Sequence, residues 1–74
     1  MLTREKLLQT INRTLRLNLD LETTPLDAKF KSLGIDSLDF FSLIAELEAM
    51  TGNKVSDEDV EKLSTIGDLL NYFS

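Results

Sequence analysis

Apolar residues in this chain recur every three or four positions and nowhere alternate over a useful length, which commits the backbone to helices. Leu7, Leu8, Ile11 and Leu15 share one face of a helix expected from about Thr3 to Arg16. A second helix is expected over roughly residues 37–51. Asp36 or Ser37 can cap its start, and Gly52 suits the left-handed position beyond its end. Its core side gathers Phe40, Leu43, Ile44, Leu47 and Met50. The opposite side gathers Leu38, Ser42, Ala45 and Ala49, flanked by Asp39, Glu46 and Glu48. Ser56 and Thr65 each stand three residues before an acid, Asp59 and Asp68, the spacing of a capping box with a shorter acidic partner. They open a short helix over about 57–63, with Val60 and Leu63 inward, and a longer one over about 66–73, with Ile66, Leu69, Leu70 and Phe73 on one face.

Between the first two helices the periodicity breaks, and Thr23-Thr24-Pro25 marks a turn because proline restricts both itself and the residue before it. Leu19, Leu21, Leu26, Phe30 and Leu33 predict that this long loop packs across the domain. The expected fold is all-α, a small bundle of three longer helices and one short helix, with residues 1–74 as a single domain and no internal repeat. A chain of 74 residues buries only about 60% of the surface its unfolded form exposes, which leaves little room for a deep catalytic cleft.

The absence of Cys and His removes the protein thiol, the usual zinc ligands and the side chain most often used as a base near neutral pH. Unaided catalysis is therefore not expected, disulfides cannot contribute stability, and no metal is expected to be held permanently. No apolar signal core follows Met1, and no run of about 18 apolar residues is present for a membrane span, so a cytoplasmic location is the expectation. Charge is unevenly placed. Residues 1–31 hold six basic and four acidic groups, residues 32–74 two basic and nine acidic, for a net charge of −5. Such a field disfavours nucleic acid and anionic lipid and favours protein partners with basic patches, although the same acids would also serve plain solubility.

The segment Phe30-Lys31-Ser32-Leu33-Gly34-Ile35-Asp36-Ser37-Leu38 resembles the F-x-x-L-G-x-D-S-L motif of acyl and peptidyl carrier proteins. The resemblance extends through Leu43, Leu47 and Glu48 and the stretch from Val55 to Leu69. The first helix matches in length and periodicity alone. It implies that Ser37 receives phosphopantetheine (pantetheine 4'-phosphate) from coenzyme A through a phosphopantetheinyl transferase in a magnesium-dependent reaction, the arm's thiol then holding cargo as a thioester. A phosphodiester on a residue at a helix N-terminus suits the unpaired N–H groups and the positive end of the helix dipole. Taken alone, Asp36-Ser37 would also suit helix capping.

By the same resemblance Asp36 positions metal and transferase during loading, and Leu38 is the exposed apolar contact for partner enzymes; with Asp39, Ser42, Ala45 and Glu48, from the uncharged stripe and its acidic flanks, it makes up the candidate partner-binding surface. Phe40, Leu43, Leu47, Val60, Leu63 and Leu69, whose apolar faces converge in any compact bundle of this order, are the candidate acyl-chain pocket. The implied protein is a monomeric, non-catalytic carrier. It would be visited by the transferase and by acyl-loading, synthase or transferase enzymes of fatty-acid, polyketide or related biosynthesis. Ser42, Thr51 and Asn53 depart from the fatty-acid carriers, which commonly show an acid at the first position and an aromatic and an aliphatic residue at the others. An aminoacyl or peptidyl carrier, or an unmodified interaction subunit of the same fold, therefore stays open.

Overall fold

The computed structural model describes residues 2–73. Four helices follow one another: α1 Arg4–Leu15, α2 Ser37–Thr51, the short α3 Asp57–Lys62, and α4 Ile66–Phe73. Among the described residues there is no strand, and the one β-type contact is an isolated antiparallel bridge between Lys29 and Thr65. The all-α bundle expected from the sequence is the architecture found.

Helix limits follow from local chemistry. The Thr3 hydroxyl accepts the Lys6 N–H at 3.1 Å, and Arg16 ends α1 in the left-handed region at φ 56°. At α2 the cap is Asp36, whose Oδ1 accepts the Asp39 N–H at 2.8 Å, so Ser37 is the first helical residue and is not a cap. Gly52, at φ 76°, closes the helix as expected. The two capping boxes differ. Ser56 accepts from Asp59 N, but the Asp59 carboxylate turns away to take the Tyr72 hydroxyl at 3.0 Å. At Thr65 both halves form: its hydroxyl accepts from Asp68 N and Asp68 Oδ2 accepts from Thr65 N, each at 3.1 Å. Leu63, expected inside the third helix, lies just past its end in extended backbone.

The core forms where α1 packs against α2 and α4 closes over them. Leu7, Ile11, Leu43, Leu47, Ile66 and Leu69 are fully buried, each worth about 1.5–3 kcal/mol of hydrophobic stabilisation. Met50, expected on the core side, is 38% exposed. It lies in the last turn of α2 with its sulfur 3.5 Å from the Thr10 hydroxyl, and so covers the α1–α2 seam instead of filling the interior.

The long loop is held by apolar contacts, with Leu17, Leu19, Ala28 and Leu33 partly buried against the core, and by hydrogen bonds. Asn12 donates to the Leu19 carbonyl at 3.0 Å and accepts the Leu19 N–H at 2.8 Å, and Arg4 donates to the carbonyls of Leu21 and Thr24. With the backbone fixed this way, Leu21 and Leu26 remain 40% and 39% exposed, contrary to the expectation that they pack inward. Phe30 and Ile35 supply the buried contacts, and Phe30–Leu33 winds into a 3₁₀ turn. The loop then docks on the start of α4: Ile66 N donates to Ala28 O at 3.2 Å and Gly67 N to Leu26 O at 2.7 Å. Two amide groups that a helix start leaves unpaired are thereby satisfied.

Candidate functional site

Ser37 is exposed at the first position of α2. Its hydroxyl makes no hydrogen bond among the described residues, so nothing in the fold consumes it. Beside it lies an open groove of about 640 Å³. One wall comes from the 3₁₀ segment, with Phe30 and Ile35, and another from Phe40 and Phe41 of α2. Val60 and Leu63 complete it from α3 and its end. The Phe30 and Phe40 rings stand 5.0 Å apart between centroids, tilted by 46°, and stiffen the junction.

The structure divides the expected acyl-chain residues. Phe40, Val60 and Leu63 line the groove, whereas Leu43, Leu47 and Leu69 are fully buried and lie outside its lining. They are packed core, closed to solvent. The expected partner-binding residues share the outer side of α2: Leu38 is 78% exposed, Ser42 and Ala45 are exposed, and Asp39 is half-buried. Glu48 also has a structural task, because its Oε2 accepts the Val55 N–H at 2.8 Å and pins the α2–α3 connection. Glu46 is engaged by Arg13 at 3.1 Å.

Three features escaped the sequence reading. Phe41 is 56% exposed and lines the groove. Its signal was present, since it stands three positions after Leu38 and so on the same helix face. Lys29 and Lys31 also line the groove. They carry no periodic signal, because the groove exists only once the 3₁₀ turn, α2 and α3 meet.

The arrangement fits a covalently attached phosphate-bearing arm. The Ser37 hydroxyl is free, and the N–H groups of Ser37 and Leu38 stand in the first turn of α2, where the helix offers them no acceptor. The dipole of this 15-residue helix adds positive potential there.

Comparison with known proteins agrees. Residues 5–73 match the family model for the phosphopantetheine attachment site. A solved structure from Mycobacterium tuberculosis, described as "a putative acyl carrier protein", is similar over 92% of this chain and 89% of that chain, with 32% identity and a TM-score of 0.81. The chain belongs to the phosphopantetheine-attachment family and is an acyl carrier protein. Phosphopantetheine is its covalent prosthetic group, and proteins of this kind are carriers that do not themselves catalyse. No helix among the described residues is long and apolar enough to cross a membrane.

Proposed function

We propose that Ser37 is the attachment residue, and that the protein holds acyl intermediates as thioesters for partner enzymes of fatty-acid, polyketide or related biosynthesis. The observation that carries this reading is the position of Ser37: inside the Asp-Ser-Leu motif, exposed, unbonded, and at the mouth of α2 beside the groove. In loading, Ser37 Oγ bonds to the phosphorus that carries the pantetheine arm of coenzyme A. The pyrophosphate P–O bond breaks, the adenosine bisphosphate leaves, and the serine proton passes to a base of the transferase. Asp36, adjacent in sequence, contributes negative charge for the metal that serves this reaction. The arm ends in a thiol, which supplies the thioester chemistry that a chain without cysteine lacks.

Leu38 is the apolar contact offered to partners, with Ser42 and Ala45 leaving a low, uncharged strip beside it and Asp39 at its edge. The partners are the phosphopantetheinyl transferase and acyl-loading or synthase enzymes with basic patches. Intact mass after incubation with coenzyme A and a broad-specificity transferase tests the reading. One phosphopantetheine should be added to the wild type and none to Ser37→Ala. Full labelling of Ser37→Ala, or a label mapped to Ser42 or Ser56, would overturn it.

A further inference from the structure

The groove beside Ser37 combines a largely apolar lining with two lysines, in a protein whose net charge is −5. Lys29 and Lys31 both line it and both are exposed. Neither has an ion pair or side-chain hydrogen bond among the described residues, where the salt bridge found joins Arg13 to Glu46. The one acid in the lining is Asp36, whose Oδ1 is occupied by the Asp39 N–H. The lining thus holds two lysines and one aspartate in a chain whose net charge is −5. The rest of the lining is largely apolar, from Phe30, Ile35, Phe40, Phe41, Val60 and Leu63.

A neutral alkyl chain would use this apolar wall and gain nothing from the lysines. The phosphodiester expected on Ser37 already has the α2 N-terminus as its electropositive partner, whereas Lys31 lies in the 3₁₀ segment and Lys29 immediately before it. An occupant that uses both features has a short apolar stem ending in an anion.

We propose that the groove selects acyl cargo with a terminal carboxylate, the half-thioester of a dicarboxylic acid, its stem on Phe40, Val60 and Leu63 and its carboxylate at Lys29 and Lys31. This rests on attachment at Ser37. Charge-assisted hydrogen bonds from two ammonium groups supply the discrimination. Their exposure limits it to about the range of surface ion pairs and makes it sensitive to salt.

Glutaryl and pentanoyl chains have the same length and differ in the terminal carboxylate, so they form the test pair. Wild type, Lys29→Ala/Lys31→Ala and Lys29→Arg/Lys31→Arg are each loaded from coenzyme A, pentanoyl-coenzyme A and glutaryl-coenzyme A, with intact mass recording the loading. Two further readouts follow: the lysine ε-methylene resonances, and the rate at which hydroxylamine cleaves the thioester. The glutaryl form should shift the Lys29 and Lys31 resonances where the holo and pentanoyl forms do not. Its thioester should be cleaved about two- to fivefold more slowly than the pentanoyl one, the range that exposed ion pairs supply. High salt and the double alanine variant should remove this difference, and the double arginine variant should keep it. Equal protection of the two loaded forms would overturn the proposal and leave the carrier reading intact. So would lysine shifts already complete in the holo form, which would assign the lysines to the phosphodiester. A wild type that accepts no arm at all overturns the attachment reading, and this proposal with it.

Discussion

Asp36 and Ser37 are adjacent, polar and both able to cap a helix, yet the fold gives them separate work. Asp36 Oδ1 bonds the Asp39 N–H, while Ser37 Oγ is left without a partner. Substitution separates the two. Asp36→Ala should lower stability by about 0.5–2 kcal/mol, the cost of losing a cap. Ser37→Ala should stay within about 0.5 kcal/mol of the wild type, as surface changes away from structural contacts do. Asp36→Asn keeps the capping oxygen and removes the charge. Urea denaturation should therefore find it near wild-type stability, while its loading by the transferase falls. If Asp36→Asn loads at the wild-type rate, the residue is a cap and nothing more. Gly67 is a second place where one atom decides: a Cβ there would stand 3.1 Å from Leu26 O, the carbonyl that accepts the Gly67 N–H. Exchanging glycine for alanine inside a helix normally stabilises by about 1 kcal/mol. Gly67→Ala should show none of that gain in the same denaturation assay, and a full gain would mean the loop gives way freely.

At the scale of elements, the start of α4 is where the long loop, the 3₁₀ segment and a capping box converge. Asp68 accepts hydrogen bonds from Ser64 N at 2.9 Å and Thr65 N at 3.1 Å, and from the Ser64 hydroxyl. Its carboxyl is held below the usual range, chiefly by the Ser64 N–H and further by Thr65, against a partial burial that pushes it up. A carboxyl whose pKa is lower in the folded state adds stability that is present above its unfolded value of about 3.9 and is lost as the pH falls through the folded value. The gap in unfolding free energy between wild type and Asp68→Asn should thus be constant near neutrality and shrink in acid. Parallel curves down to the acid limit would show that the charge of Asp68 does not contribute. The sequence disclosed this box, and the one at Ser56, through the same three-residue spacing, but only the first closes. Spacing reports that two groups can meet. It cannot report that Tyr72, on another helix, will take the Asp59 carboxylate first. The same distinction runs through the chain: α1, α2 and α4 were legible because their periodicity is local, whereas the 3₁₀ turn and the exposure of Leu21 and Leu26 go with long-range bonds, from Phe30 N to Ser64 O, from Arg4 to the Leu21 carbonyl and from Gly67 N to Leu26 O. Of the candidate site, the motif residues were legible and the two lysines lining the groove were not.

For the whole molecule, the separation of charge matters more than its total. Residues 1–31 carry six basic against four acidic groups and residues 32–74 two against nine, so the part containing α2, α3 and α4 carries a concentrated negative field. Long-range attraction of this kind changes the rate of encounter more than the final affinity, and it fades beyond a Debye length of about 10 Å at 0.1 M salt. Some of these acids are spent inside the fold: Glu46 is engaged by Arg13, Glu48 by Val55 N, and Asp59 and Asp68 by Tyr72 and the α4 cap. Asp39, Asp57 and Glu58 have no side-chain partner among the described residues and are the better instruments for a test. Stopped-flow association with the transferase should slow as salt is raised. Asp39→Lys and Glu58→Lys should each slow it several-fold at low salt and flatten its salt dependence, while Glu22→Lys, in the long loop, should leave it nearly unchanged. Because Ser42 is uncharged and the strip beside Leu38 lacks an acid, the slope should be shallower than for carriers with an acidic residue at that position. Association indifferent to salt and to both reversals, or slowed equally by Glu22→Lys, would mean that docking is set by Leu38 and Phe41 alone and that the acidic half serves solubility.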